Sequence, residues 1–267
     1  MEPTTYDITG DLTVRMRLRS ADVHIRETGS NTATVHVTGE READEVSVEH
    51  TPSPAGSLLQ IVQRRAFGTW GPRDDDLRID VDVPAGTIAE VVTGSGDLSA
   101  DGGLGKLSFQ SGSGDAEVGT VSGPVRIKTA SGDVRVDAVG GDASAATASG
   151  DIVLGSIGGS LSGRTASGDI DVGDLDGAAE IMSASGDIRI ASARADVSLR
   201  SVSGDIEVGV PSGSRVWFDV SSTSGDTVTE LAPGDDDGGD ASFEIRASSV
   251  SGDIRIRRAR PREASST

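Results

Sequence analysis

Apolar and polar residues alternate in short runs along most of this chain, and the runs recur at a fixed interval. In Ile170-Asp171-Val172 and Ala179-Glu180-Ile181 every second position is apolar, the period of a β-strand with one buried face. The same arrangement appears at Ala116 and Val118, then Val121, then Val125 and Ile127. No run has the i, i+3, i+4 spacing of a helix. Gly123 and Gly177 fall at matching places between the short strands, where the chain must turn. Each interval therefore predicts two or three strands joined by glycine-containing corners.

The interval is set by a triplet. Ser-Gly-Asp begins at Ser95, Ser113, Ser131, Ser149, Ser167, Ser185 and Ser203, at steps of 18 residues (113 − 95), and again at Ser224 and Ser251. One such unit cannot bury its apolar face alone, whereas stacked units share one core with like residues above like. The predicted fold is all-β, a single-chain parallel β-solenoid with 18-residue coils. At roughly 4.8 Å per coil, the nine triplet-bearing coils would span about 40 Å. The core is made of small residues: Ala143 and Ala145 stand where another repeat has Val125 and Ile127. Thr129, Thr147, Thr165, Ser183 and Ser201 should point inward at one corner, bonding to one another and to the backbone.

The aspartates of the triplet form a column. Unit charges 4.8 Å apart repel by roughly 3.5 kcal/mol at an effective dielectric of about 20, so the column needs solvent, amides or cations. In one reading glycine supplies an unusual φ and aspartate accepts backbone N–H groups of the turn. In the other, Asp115, Asp133, Asp151, Asp169 and Asp187 are metal ligands, with calcium the candidate ion. Calcium β-rolls use nine-residue loops, but the half-way positions here lack the Gly-Gly-x-Gly-x-Asp sequence.

Residues 1–92 are β-rich without the 18-residue period. Candidate strands are Leu12–Leu18, Asp22–Ile25, Ala33–Thr38, Glu45–Glu49, Leu58–Val62 and Leu77–Val83. This part reads as irregular first coils and cap of the solenoid, with a small separate sandwich as the alternative. Residues 93–256 form the regular solenoid with decorated last coils, and 257–267 a basic, disordered tail. His24 and His36 sit in similar Val-His-Ile and Val-His-Val settings and are expected as cross-strand neighbours; with His50 they read as surface residues, no ligand spacing supporting a metal site. Phe67 and Trp70 lie in a loop that either folds over the solenoid end or serves as a contact. Val216, Phe218 and Val220 should face inward, which turns Trp217 outward. Residues 234–240 are an acidic insertion, after which the strand Ser242–Ala247 and Asp253–Ile256 should complete the stack.

The formal charge is −19, from 24 Lys+Arg against 43 Asp+Glu, which argues against nucleic acid or anionic lipid as a partner. Absence of cysteine removes disulfides, cysteine-ligated zinc and thiol chemistry. The first residues have neither a basic region nor an apolar one, and no run is long enough to span a membrane as a helix. For a complete chain this predicts a cytoplasmic protein with no direct membrane insertion.

The repeated Ser-Gly-Asp-[Ile/Val]-x-[Val/Ile/Leu] units resemble a bacterial β-strand-repeat family, a domain of unknown function labelled "putative adhesin". Val83-Pro84-Ala85-Gly86, the segment Gly213–Val220, Gly225-Asp226 and the closing Ser251–Ile256 resemble it too. The resemblance implies a β-solenoid scaffold with members tied to the cell envelope, and brings no catalytic residues.

Four functional readings stand on the sequence. The first is a non-enzymatic scaffold or interaction protein, without a cofactor, whose partner is a protein or a repetitive surface. Its candidate contacts are Phe67, Trp70, Trp217 and an outward strip of small residues at Ala130, Ala148, Ala166, Ala184 and Val202. Homo-oligomers through solenoid ends or faces are compatible with it. The second is a divalent-cation-binding surface on the aspartate column. The third is an ice-binding surface, against which the inward threonines argue. The fourth is a carbohydrate-active β-helix enzyme, for which Asp171, Asp187, Arg164 and Arg189 could be assembled.

Overall fold

In a computed structural model of the chain, the described residues are 2–39, 46–53, 56–63, 77–231 and 242–259. Phe67, Trp70, the acidic insertion 234–240 and the tail from residue 260 lie outside them. The described residues are all-β, without a helix, and form a parallel β-solenoid. Two compact units divide the chain, Met1–Gly141 and Asp142–Thr267.

In the second unit each coil gives one strand to each of two sheets. Leu161–Ser167 lies in one sheet and Ile170–Leu175 in the other; the next coil repeats this with Ala179–Ser185 and Ile188–Ala193. Pairing is parallel and in register: Ile170 lies over Ile188, Val172 over Ile190 and Leu161 over Ala179. The strand alternation puts Ile170, Val172, Ile181 and Ile190 inside, all buried. Each such side chain contributes about 1.5–3 kcal/mol by leaving water, but only with the coils on either side in place.

The first unit stacks its coils the same way from Ile88–Ser95 onward, with Leu107 between Ala89 and Val125 in register. Its beginning winds out of sequence. The coil formed by Leu12–Arg17 and Asp22–Thr28 is flanked on one side by Ser57–Gln63 and Arg78–Pro84, and on the other by Ile88–Ser95 and Leu98–Ala100. Antiparallel strands finish this end: Thr32–Thr38 pairs with Arg78–Pro84, Thr4–Asp7 with Thr32–Thr38, and Val46–Thr51 with Ser57–Gln63. The Tyr6 and His50 rings meet across the two sheets at 5.2 Å. Ala33, Val35, Val37 and Val46 are buried beneath them.

The second unit also ends out of sequence, and here the expectation from sequence is corrected. Ser242–Ser251 and Ile254–Arg258 do not complete the stack. They lie between the coil of Val197–Ser203 and Ile206–Val210 and the coil of Arg215–Ser224 and Thr227–Thr229, which is outermost among the described residues of this unit. The apolar content explains the order. Phe243, Ile245, Ala247, Ile254 and Ile256 can be covered on both sides and are buried, whereas the other coil offers only threonine, at 227 and 229, opposite Ile254 and Ile256.

Two further expectations change. His24 and His36 are not adjacent, because the strand carrying Asp80 runs between theirs and Asp80 lies level with both. Of the inward hydroxyls, Thr165, Ser183 and Ser201 do not bond to one another. Thr129, Ser222 and Ser249 donate instead to the carbonyls of Gly114, Gly252 and Gly204. Ser111, Thr165, Ser183 and Ser201 keep buried hydroxyls with no hydrogen-bond partner.

Candidate functional site

The aspartate column is a backbone device. The N–H of Asp115 donates to Oδ1 of Asp97 at 2.9 Å, and the N–H of Asp133 to Oδ1 of Asp115 at 2.8 Å. In the second unit the relay runs from Asp151 to Asp169, Asp187 and Asp205, then to Asp253 and last to Asp226. Each carboxylate oxygen thus satisfies an amide that the corner would leave to solvent. The preceding glycine is required twice over. Gly168 has φ +142°, and a Cβ there would lie 2.0 Å from the carbonyl oxygen of Gly150. Of the five sequence candidates, Asp115, Asp151, Asp169 and Asp187 therefore use one oxygen each for the turn, and Asp133 joins the relay through its N–H. Among the described residues no group of three or more His, Cys, Asp or Glu side chains is placed to hold a metal ion.

A shallow groove of about 330 Å³ crosses the outer face of one sheet in the second unit. Gly155, Gly173 and Ala191 form its floor, and Asp171, Arg189, Glu207 and Arg257 its charged walls. Asp171, Arg189, Glu207 and Arg255 are stacked in register with alternating sign. Arg189 prefers Asp187, at 2.8 Å, over Asp171, at 3.8 Å. Asp171 is pushed above the usual carboxylate range, first by loss of water and then by the nearby Asp169, Asp151 and Asp187, with Arg189 opposing. Glu207, the other carboxylate of the groove, is paired with Arg257. Of the residues that sequence reasoning grouped for glycoside chemistry, Asp171, Asp187 and Arg189 meet here. Arg164 lies on the other sheet, paired beside Met182.

In the first unit, Asp80 sits among Arg78, Arg26 and His24. Burial opposes its charge, but the hydrogen bond and charge of Arg78, the charge of Arg26 and the His24 contact outweigh it and hold the carboxyl below its usual range. Nδ1 of His24 lies 3.1 Å from the Arg78 guanidinium and 3.4 Å from Asp80, and its Nε2 lies 3.3 Å from Asp101. The cluster is an ion-pair network on one sheet face, which Arg26 extends to Asp82.

The other sheet offers a different surface. Ala130 is exposed in the first unit, and Ala148, Ala166 and Ala184 in the second. In the second unit the strip continues through Val202 and Val250, which are 55% and 52% exposed. Register holds it straight, since Ser183, Ser201 and Ser249 stack on one side of it and Ser185, Ser203 and Ser251 on the other. Trp217, also outward, is 74% exposed.

The sequence profile of the Toastrack DUF4097 family matches residues 11–257. The chain belongs to the Toastrack DUF4097 family. No curated protein matches it. Among solved structures, a "putative lipid binding protein" from Parabacteroides distasonis is similar over 96% of each chain, at 17% identity and a TM-score of 0.53. A "putative adhesin" from Bacteroides fragilis is similar over 96% of this chain and 95% of its own, at 14% identity and a TM-score of 0.50. At these identities the likeness is one of Toastrack fold. Two parts of this Toastrack surface escape the triplet pattern. Asp22 starts the aspartate relay in the first unit, its Oδ1 accepting the N–H of Asp97, but it is hidden in Ser20-Ala21-Asp22 because alanine replaces the glycine. Val250 joins the apolar strip although its triplet is off-period; its place directly before Ser251 is the signal.

Proposed function

We propose that this Toastrack chain is a non-enzymatic scaffold that holds a rigid outer sheet face against a protein or another repetitive surface. The observation that carries the reading is the straight exposed strip Ala148, Ala166, Ala184, Val202 and Val250. Isolated exposed apolar residues are ordinary, but an aligned row is a feature of contact surfaces. The row widens from alanine to valine on strands fixed by backbone pairing, so a partner meets it with little ordering cost. The adhesin and lipid-binding labels of the two similar structures support a surface-directed role. The groove around Asp171 supports catalysis less well, because its second carboxylate is already paired. The relay of aspartates supports cation binding less well, because Asp115, Asp151, Asp169 and Asp187 each commit an oxygen to the turn.

The test compares the intact chain with a Val202→Asp/Val250→Asp double variant. Both are immobilised and exposed to envelope and soluble fractions of the source cells, with retained proteins identified by mass spectrometry. A partner kept by the parent and lost by the equally stable variant supports the reading. Equal retention by both rejects the strip as the contact.

A further inference from the structure

The two ends described above are finished differently. In the first unit, antiparallel strands cover the end. In the second, Arg215–Ser224 is ten residues long and pairs on one side with Ser242–Ser251; no described residue pairs with its other side. In this solenoid, inward residues donate their N–H onward along the stack: Leu161 to Ala178, Ile188 to Asp205, Ile254 to Asp226. By that rule the unmatched N–H and C=O groups of the last strand belong to its inward residues, Val216, Phe218, Val220 and Ser222. Phe218 is 39% exposed, whereas its register partner Ile245 is fully buried. An uncovered edge with apolar residues on its core side is a template for another strand.

We infer that a second copy of this chain occupies this edge, the two Arg215–Ser224 strands pairing antiparallel about a two-fold axis at Trp217. The edge dictates which registers are possible. Antiparallel partners that exchange both hydrogen bonds must be opposite each other, so inward residues must face inward residues. That leaves two-fold axes centred on a residue of the strand, from Val216 to Ser222. An axis at Asp219 opposes two carboxylates, and one at Phe218 sets Arg215 opposite Ser221 and Asp219 opposite Trp217. The axis at Trp217 sets Arg215 opposite Asp219 of the second copy, twice, with Val216 opposite Phe218. The two Trp217 rings then meet as a close, non-hydrogen-bonded pair. The same contact covers the half-exposed Phe218 from both sides. This surface is separate from the apolar strip, so the inference stands whether or not the strip has a partner.

The charges supply a complementation test on the full chain by sedimentation equilibrium at about 0.15 M salt, where long-range repulsion between acidic bodies is screened. The parent should dimerise. Arg215→Asp and Asp219→Arg should each weaken self-association at least about tenfold, since each converts two attractive pairs into two repulsive ones. An equimolar mixture of the two variants should associate as well as the parent, because every pair across the axis is again of opposite sign. Phe218→Lys should be monomeric, with circular dichroism and melting confirming that each variant is folded. A parent that stays monomeric to about 100 μM, variants that dimerise unchanged, or a mixture that does not associate would each overturn the inference.

Discussion

Replacing Gly168 with alanine tests the corner on which the relay depends. Two costs add. A non-glycine residue at such a φ carries about 1–3 kcal/mol of backbone strain. The new Cβ would also lie 2.0 Å from the Gly150 carbonyl oxygen and 2.7 Å from its carbon, so one coil must shift against the next, at about 1–3 kcal/mol. The sum is about 4 kcal/mol, or roughly 8–16 °C in melting temperature for a chain of this size. Asp169→Asn is the comparison. It keeps an oxygen to accept the N–H of Asp187, now at 2.8 Å. It loses the charge assistance of that bond but also removes one of a row of like charges, so its effect stays within about 1 kcal/mol. Gly213→Ala separates the two costs, because Gly213 has φ +81° with nothing within 4 Å of the added Cβ, leaving only about 1–2 kcal/mol of conformational strain. The assay is urea and thermal unfolding of the three variants followed by circular dichroism. If Asp169→Asn proves the worst, the aspartates do more than serve the turn. If Gly213→Ala equals Gly168→Ala, the carbonyl contact costs nothing.

Ser183→Ala should be neutral or stabilise by up to about 1 kcal/mol, since the buried Oγ has no partner to lose; a loss above about 1 kcal/mol in urea unfolding would contradict the unpaired hydroxyl. Asp171→Asn should stabilise at neutral pH by at most about 0.5 kcal/mol at this half-exposed site. The carboxyl is raised in the folded state, so its ionisation costs stability above the folded pKa, and the gain from asparagine should vanish as pH falls below the ordinary aspartate value, about 3.9; melts from pH 3 to 7 with a constant difference would refute this. Calcium and magnesium at matched ionic strength should shift the melting temperature equally, because no cluster of ligands is assembled among the described residues; a calcium-specific rise of many degrees would restore Asp115, Asp133, Asp151, Asp169 and Asp187 as ligands.

The coils were legible in the sequence because each carries its information locally. The alternation at Ile170 and Val172 sets the buried face, and Gly168-Asp169 sets the corner. Stacking order was not legible at the ends. The triplets at Ser224 and Ser251 are equally good corners, and only the paired coils show that Asp253 bonds to Asp205 and leaves Asp226 outermost. The aspartate relay was readable as a turn, but its direction, from one coil's side chain to the next coil's amide, depends on stacking. The groove at Asp171 was half visible. Asp171 and Arg189 lie one repeat apart, whereas Glu207 and Arg257 are 50 residues apart and meet only because the last coil is inserted.

That insertion has a consequence for synthesis on the ribosome. The chain emerges N-terminal end first, and residues 215–229 leave the exit tunnel before residues 242–258 exist as partners. For that interval the freshest docking edge is Val197–Ser203 and Ile206–Val210, and the early arrival fits it through the same Ser-Gly-Asp corner that Ser251–Asp253 later uses. The finished order requires the early arrival to stand aside, or to be displaced by the richer apolar set of Phe243, Ile245 and Ile254. A released chain that ends near residue 230 would therefore carry its last coil one storey lower than the completed protein does.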